Sequence, residues 1–254
     1  MKSTSASQLI IFGVFLSTSP LFAEEKVSEK SHPKVVTFGE MHLAIGQKQH
    51  QGRVLLREVV ERNHFYGVGA LAGLNGEITI RDGKIVISSV SAGKPKLIDA
   101  DMGKPQATLL VGAYVSEWSQ HKVVKNIPGA DFDEFVRETA ARTGLDTTRP
   151  FVFRIDGEFQ DVRLHIINGA CPIHARIHKQ ELPVDRQPYE AEFARVRGTV
   201  IGIYAKDAVG KLTHPSTSAH AHLIFKDDVS GAELTGHLEQ VGIRTDAVLN
   251  LPKR

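Results

Sequence analysis

Alternation of hydrophobic and polar residues is the strongest pattern along the chain, and it predicts β-strands. Isoleucines alternate with other residues on both sides of Asp82-Gly83, at positions 78, 80, 85 and 87. Asp-Gly between two such runs is typical of a tight hairpin turn, because both residues tolerate the left-handed backbone that the turn requires. A continuous apolar run over 108–115 predicts a further, buried strand.

Helical spacing is found in only two stretches. Apolar residues recur at intervals of three and four over 53–63. A second helix is predicted from about Asp131 to Thr143, with Asp131 as its N-cap, Glu134 three residues later and Gly144 as its stop.

The second half of the chain adds more strand-like segments. The segments 151–155 and 159–166 predict another hairpin, with its turn at Asp156-Gly157. A polar link over 181–188 precedes a β-rich segment at 197–204, and two histidine-bearing strands follow. Many strands and few helices predict an α+β fold with mixed or antiparallel β-sheets.

The first 50 residues differ from the rest in composition. Residues 1–23 combine Lys2, an apolar run and Leu21-Phe22-Ala23, which is typical of a secretory signal peptide cleaved near Ala23. We therefore expect a secreted or periplasmic protein with no membrane segment after cleavage. Residues 24–50 are predicted to be a flexible leader, and 51–254 the folded domain, with subdomains of roughly 51–180 and 181–254.

Composition narrows the classes of function. The formal net charge is +2, which gives no reason to expect nucleic-acid binding. Twelve histidines in 254 residues mildly favour metal chemistry. Cys171 is the only cysteine, so no disulfide forms within the chain. We expect its side chain to be buried as a small apolar group, although a nucleophile is the alternative.

Three histidines near the C-terminus are the main candidates for chemistry. In an extended strand, side chains at i and i+2 lie on the same face, so His220 and His222 point the same way. A turn near Asp227-Asp228 and Gly231 would return the chain and bring His237 alongside them. Three imidazoles with one open position are the ligand set of many catalytic zinc sites. The alternative is a set of surface histidines on a sheet.

The chain resembles the acetolactate decarboxylase family at several motifs that occur in the family's order. The resemblance covers about residues 53–240. The matching segments are Gly67–Gly69, Leu74–Glu77, Arg154–Phe159, Gly198–Ile203, His220 with His222, and His237.

The resemblance implies a two-subdomain fold and an enzyme that converts 2-acetolactate to acetoin. Zn²⁺ would be held by His220, His222 and His237 and would stabilise the enediolate that remains after loss of CO₂. Arg154 would bind the substrate carboxylate, and Glu77 would donate or relay a proton. The resemblance also implies a homodimer.

The sequence also allows a purely structural role for Arg154 and for Glu77. Arg154 lies beside the predicted turn and would then pair with Asp156 or Glu158. Glu77 would be a solvated carboxylate on the polar side of its hairpin.

Some positions differ from the family pattern. Ala70 stands where the family has a threonine, and Asn75 where it has an aspartate. The family also has a second catalytic glutamate near its C-terminus, whereas no carboxylate follows Asp246 here and Glu239 is the nearest glutamate. These differences motivate an alternative function, a non-catalytic protein that binds zinc and a small hydroxy- or keto-acid. A metal-dependent hydrolase is a third hypothesis.

Overall fold

A computed structural model describes residues 33–101 and 103–253. The predicted signal peptide, residues 1–23, and the first part of the predicted leader lie outside the described residues. Within the part that is described, no helix is long and apolar enough to cross a membrane.

Thirteen strands are found in the described residues, and they form two sheets. The first sheet contains β1 (Val36–Phe38), β2 (Val54–Leu55), β3 (Phe65–Leu71), β4 (Glu77–Arg81), β5 (Lys84–Ser91), β6 (Lys94–Ile98) and β7 (Gln106–Tyr114). The second contains β8 (Trp118–Lys122), β9 (Phe151–Ile166), β10 (Tyr189–Tyr204), β11 (Ala219–Lys226), β12 (Glu233–Ile243) and β13 (Val248–Pro252).

Helices are few and short, as the sequence predicted. The α-helices are α1 (Leu56–Val60), α2 (Phe132–Arg142) and α3 (Pro172–Ile177). A π-helical turn covers His42–Gly46, and 3₁₀ turns cover Ala72–Leu74, Gly129–Asp131 and Val184–Arg186. The helix predicted over 53–63 is only α1, because its first residues pair as β2 with β7.

All pairings between the named strands are antiparallel. In the first sheet the order is β1-β7-β3-β4-β5-β6, with β2 also on β7. In the second sheet β9, β10, β11 and β12 pair in a closed circuit, and β13 and β8 extend it from β9. The α+β class with antiparallel sheets is confirmed.

Two predictions about segment boundaries differ from the structure. The predicted leader contains β1, which pairs with β7 and is therefore part of the first sheet. The change from one sheet to the other falls between β7 and β8, not at the predicted boundary near residue 180. Strands β9 and β10 lie on either side of that boundary and pair along their whole length, so it divides one sheet.

The Asp-Gly pairs at 82–83 and 156–157 behave differently. Asp82 and Gly83 have φ of 53° and 78° and connect β4 to β5, as predicted. The hairpin predicted at Asp156-Gly157 is wrong, because both residues lie inside the continuous strand β9. A Cβ at position 157 would lie 2.5 Å from the Cβ of Ala247, so the glycine permits close approach and does not make a turn.

An irregularity in β9 changes which residues face the core. Phe153 and Phe159 face the main apolar cluster from odd positions, whereas Val162 and Leu164 face it from even ones. The change occurs at Asp161, whose φ is 51°. A distortion of this kind turns later side chains to the opposite face of the strand. His165 therefore lies on the face that meets the first sheet.

The two sheets pack against each other through part of their faces. Tyr66 and Val68 of β3 form one apolar cluster with Val152 of β9 and Ile201 of β10. Beside this cluster, the polar side of β4 is covered by β11 and β12, so Thr79 is fully buried. The candidate site lies in this polar region between the sheets.

Candidate metal centre

The structure brings the three predicted histidines together. His220 and His222 alternate along β11, and His222 pairs with His237 on β12. One ligand atom from each imidazole lies within 4.8 Å of the others. All three side chains are buried, at 3%, 0% and 5% exposure. The described residues thus contain a compact, three-imidazole cluster between the two sheets.

The ring nitrogens of this cluster suit a metal ion. His220 Nδ1 and His222 Nε2 are buried and have no hydrogen-bond partner among the described residues. Burial is the main cause that lowers the pKa of His220 to about 3, and it holds the pKa values of His222 and His237 well below their usual value. Neutral imidazoles with free lone pairs are what metal ligation requires.

Thr79 contacts His222 on the Nδ1 side of its ring, and Thr235 contacts Thr79. His222 Nδ1 lies 3.2 Å from Thr79 Oγ1, which lies 2.5 Å from Thr235 Oγ1. If His222 donates its Nδ1–H to Thr79, then Thr79 donates to Thr235, and Nε2 is left as the acceptor. Such outer contacts fix the tautomer and the ring orientation of a metal ligand.

Glu77 completes the centre from the first sheet. Its carboxylate lies 3.6 Å from His222 Nε2 and 3.9 Å from His165 Nε2, and it accepts a hydrogen bond of 3.3 Å from the Ile167 backbone N–H. Burial raises the pKa of Glu77 to about 8, against the smaller, lowering effect of the Ile167 hydrogen bond. The solvated carboxylate considered from the sequence is therefore excluded, since the side chain is 4% exposed.

His165 belongs to the same cluster but was missed in the sequence. Its ring centroid lies 4.9 Å from that of His237, its pairing partner on β12. Its Nδ1 lies 2.7 Å from Glu239 Oε1. The spacing of His165 from the other histidines gives no signal, because it reaches them only through the β9–β12 pairing and the distortion at Asp161.

Glu239 connects this cluster to charged side chains at the surface. Its carboxylate contacts the guanidinium of Arg176 and lies 3.4 Å from Arg163 Nε. Burial raises the pKa of Glu239, but the hydrogen bonds from His165 and Arg176 outweigh it and hold the pKa below its usual range. Glu239 is thus an anchored carboxylate that fixes the ring of His165.

Arg154 is not brought into this cluster. It pairs with Ile201 on β10, which in turn pairs with His222 on β11, so two strand spacings separate the arginine from the nearest histidine. Its Nε donates to Asp156 Oδ2 at 2.7 Å, and its guanidinium lies 5.6 Å from the Trp118 ring centroid. The pairing with Asp156 that the sequence allowed is present.

A small inner cavity adjoins the histidines. Its volume is about 30 Å³, and it is lined by Met41, Ile45, Gly69, Ala70, Leu74, Glu77, Leu109, His165, Ile167, Cys171, His214, His220 and His237. This is room for roughly two water molecules. Arg154 is not among the lining residues. His214, a further candidate ligand from the sequence that was expected to lie in a loop because Pro215 follows it, has its ring 5.0 Å from that of His237.

Cys171 is buried at the start of α3, as expected. Its sulfur accepts a hydrogen bond of 3.5 Å from the His174 backbone N–H. Burial raises the pKa of the thiol to about 11, although this hydrogen bond opposes the rise. A thiol in this state is a poor nucleophile near neutral pH.

Comparisons with known proteins point to one family. The family model for alpha-acetolactate decarboxylase matches residues 40–251. A search of curated protein sequences finds no match.

Solved structures show the same fold at low sequence identity. The alpha-acetolactate decarboxylase of Bacillus subtilis strain 168 superposes with a TM-score of 0.64 and 16% identity, covering 87% of this chain and 86% of its own. The acetolactate decarboxylase of Bacillus subtilis subspecies spizizenii gives 0.64 and 17%, with the same coverage. A Staphylococcus aureus protein of unknown function, similar to alpha-acetolactate decarboxylase, gives 0.60 and 15%, covering 86% and 84%.

Proposed function

We propose that this chain, which belongs to the alpha-acetolactate decarboxylase family, converts 2-acetolactate to acetoin and CO₂ with the help of Zn²⁺. The observation that carries the proposal is the buried cluster of His220, His222 and His237 beside the Glu77 carboxylate. Two unpartnered ring nitrogens in a buried cluster would be costly unless they bind something. A divalent ion is the ligand that suits three neutral imidazoles.

The three histidines would hold the ion through ring nitrogens that lie within 4.8 Å of one another. His222 would use Nε2 and His220 would use Nδ1, since these are the atoms without hydrogen-bond partners. When bound, a zinc ion supplies a Lewis acid for the electrons left by CO₂. Three imidazoles also accept other divalent ions, and the family resemblance is what favours zinc.

In this proposal, Glu77 handles the proton. Loss of CO₂ from acetolactate leaves an enediolate, and acetoin forms when its carbon takes up one proton. Glu77 is the only carboxyl group among the described residues that line the inner cavity, and both its oxygens face imidazoles. Its place at the start of β4, under the second sheet, keeps bulk water away from that step.

A second function is favoured by the position of Arg154. The resemblance assigned it to the substrate carboxylate, but the described lining of the inner cavity contains neither arginine nor lysine. A protein that binds a small hydroxy- or keto-acid without turning it over is therefore the alternative. It would keep the metal ligands and lack the reaction.

Metal analysis and an acetoin assay on the same preparation distinguish these functions. The purified protein is expected to carry about one zinc per chain and to form acetoin from racemic acetolactate. His220→Ala should lose both, whereas His121→Ala, on β8 outside the cluster, should keep both. Full turnover by metal-free His220→Ala protein would refute the proposed function, and metal binding without acetoin would favour the alternative.

Export and assembly are part of the same proposal. The full sequence expressed in a bacterium should yield a protein outside the cytoplasm that begins near Glu24, as N-terminal sequencing would show. The homodimer implied by the resemblance should appear in analytical ultracentrifugation as a species of twice the chain mass. An uncleaved product in the cytoplasm would contradict the proposed export. A species of one chain mass would contradict the proposed homodimer.

A further inference from the structure

An outer groove opens beside the inner cavity. It lies between the π-helical turn at His42–Gly46, α3 and the segment 209–215, and its volume is about 260 Å³. Met41, Ile45 and His214 line both spaces. The groove is therefore the side on which a small molecule would approach the three histidines.

The groove combines aliphatic side chains with imidazoles in its lining. Ile173, Ile177 and Val209 line it, and Ile177 and Val209 are 53% and 55% exposed. Among the described residues, five large hydrophobic side chains are more than half exposed, and two of them flank this one opening. The described lining contains no Lys, Arg, Asp or Glu. Apolar walls with a few polar groups are typical of small-molecule sites.

The inner cavity and the outer groove differ in size, so they would hold different parts of a bound ligand. The inner cavity, with room for roughly two waters, accepts only the polar, metal-facing end of a hydroxy-keto acid. The remaining part must lie in the groove, where its contacts are with aliphatic side chains and with the imidazoles of His42, His174 and His178. A methyl group would fill little of this groove, whereas an alkyl chain would cover both exposed side chains.

We infer that the outer groove is a binding subsite for an alkyl or acyl chain, and that the preferred substrates are 2-hydroxy-3-keto acids with a chain longer than the methyl groups of acetolactate. This inference rests on the proposed function for the reaction, but the subsite itself is defined by the groove. Each methylene buried there should strengthen binding about fourfold, since a buried CH₂ contributes roughly 0.8 kcal/mol.

Binding of unreactive 2-hydroxy acids tests the subsite without relying on turnover. Zinc-loaded protein is titrated in a calorimeter with 2-hydroxybutanoate, 2-hydroxyhexanoate and 2-hydroxyoctanoate. The expected result is a Kd that falls about fourfold per methylene until the groove is filled. The double variant Ile177→Asn, Val209→Asn should flatten this dependence. The matched control Val229→Asn, at a side chain that is 96% exposed and does not line the groove, should retain it.

The outcomes separate this inference from the proposed function. A Kd independent of chain length, or a dependence that the double variant leaves unchanged, overturns the subsite even if acetolactate is decarboxylated. A chain-length dependence that the double variant abolishes supports the subsite even if no acetoin forms, in which case only the proposed function fails. Both variants alter exposed side chains, so loss of folding does not obscure the result.

Discussion

The threonine behind His222 gives the sharpest test of the metal centre. Thr79→Val keeps the shape of the side chain and removes the hydroxyl that joins His222 Nδ1 to Thr235. Both partners are fully buried, so each loses a hydrogen bond that water cannot replace. Leaving buried polar groups unpaired costs about 1–3 kcal/mol, and we expect the free energy of unfolding of the metal-free protein to fall by this amount.

The effect on metal affinity should be separate and equally large. An outer partner of a ligating histidine is typically worth about 10–100-fold in metal affinity. Competition with a chelator should therefore give a Kd for zinc that is weaker by this factor, or about 1.4–2.8 kcal/mol.

Thr108→Val is the matched control for this variant. Thr108 is also fully buried, but its hydroxyl donates to the Gln49 backbone carbonyl, away from the histidines. It should lose about 1 kcal/mol of stability with an unchanged Kd for zinc. If Thr79→Val loses stability but binds zinc as tightly as Thr108→Val does, Thr79 does not orient a metal ligand and the reasoning is refuted.

Three further experiments test other parts of the structure. Glu77→Gln should keep its zinc and lose about 10²–10⁴-fold in acetoin formation, and a smaller loss would show that another group supplies the proton. Because burial raises the pKa of Cys171 to about 11, its thiolate is scarce at pH 8, and its reaction with a disulfide reagent should be about 100-fold slower in the native protein than in urea; equal rates would contradict its burial. Asp161→Ile should lower the free energy of unfolding by about 1–2 kcal/mol, because a β-branched residue resists the positive φ at this position, whereas Asp161→Gly should not; equal effects in urea unfolding would exclude backbone strain.

Sequence patterns predicted a turn correctly where the backbone conformation depends only on the residues of the turn itself. The turn at Asp82-Gly83 was predictable because both residues adopt the left-handed backbone that their types tolerate. The same dipeptide at 156–157 was mispredicted because its conformation depends on Ala247, some ninety residues away, and on hydrogen bonds from Thr199 and Asn250 to Asp156. No local pattern contains those contacts.

The clustering of the candidate ligands was predictable for a similar reason, and their surroundings were not. His220 and His222 share a face through strand geometry alone. Alternation also showed that Glu77 lies on the polar side of β4, but it does not distinguish a face covered by water from one covered by another sheet. His165 was beyond prediction because the distortion at Asp161 decides which face it occupies.

The division of the centre between the two sheets has a consequence for how the protein is made. Glu77 and His237 are 237 − 77 = 160 positions apart, so at about 5–20 residues per second the carboxylate precedes the last histidine by about 10–30 s. All strands of the first sheet precede those of the second, so the first sheet can form during this interval. The side of β4 that the second sheet later covers carries Glu77 and Thr79, and water can solvate both side chains until then. The polar side of β4 that contacts the clustered histidines in the folded protein therefore also keeps this strand hydrated before the second sheet covers it.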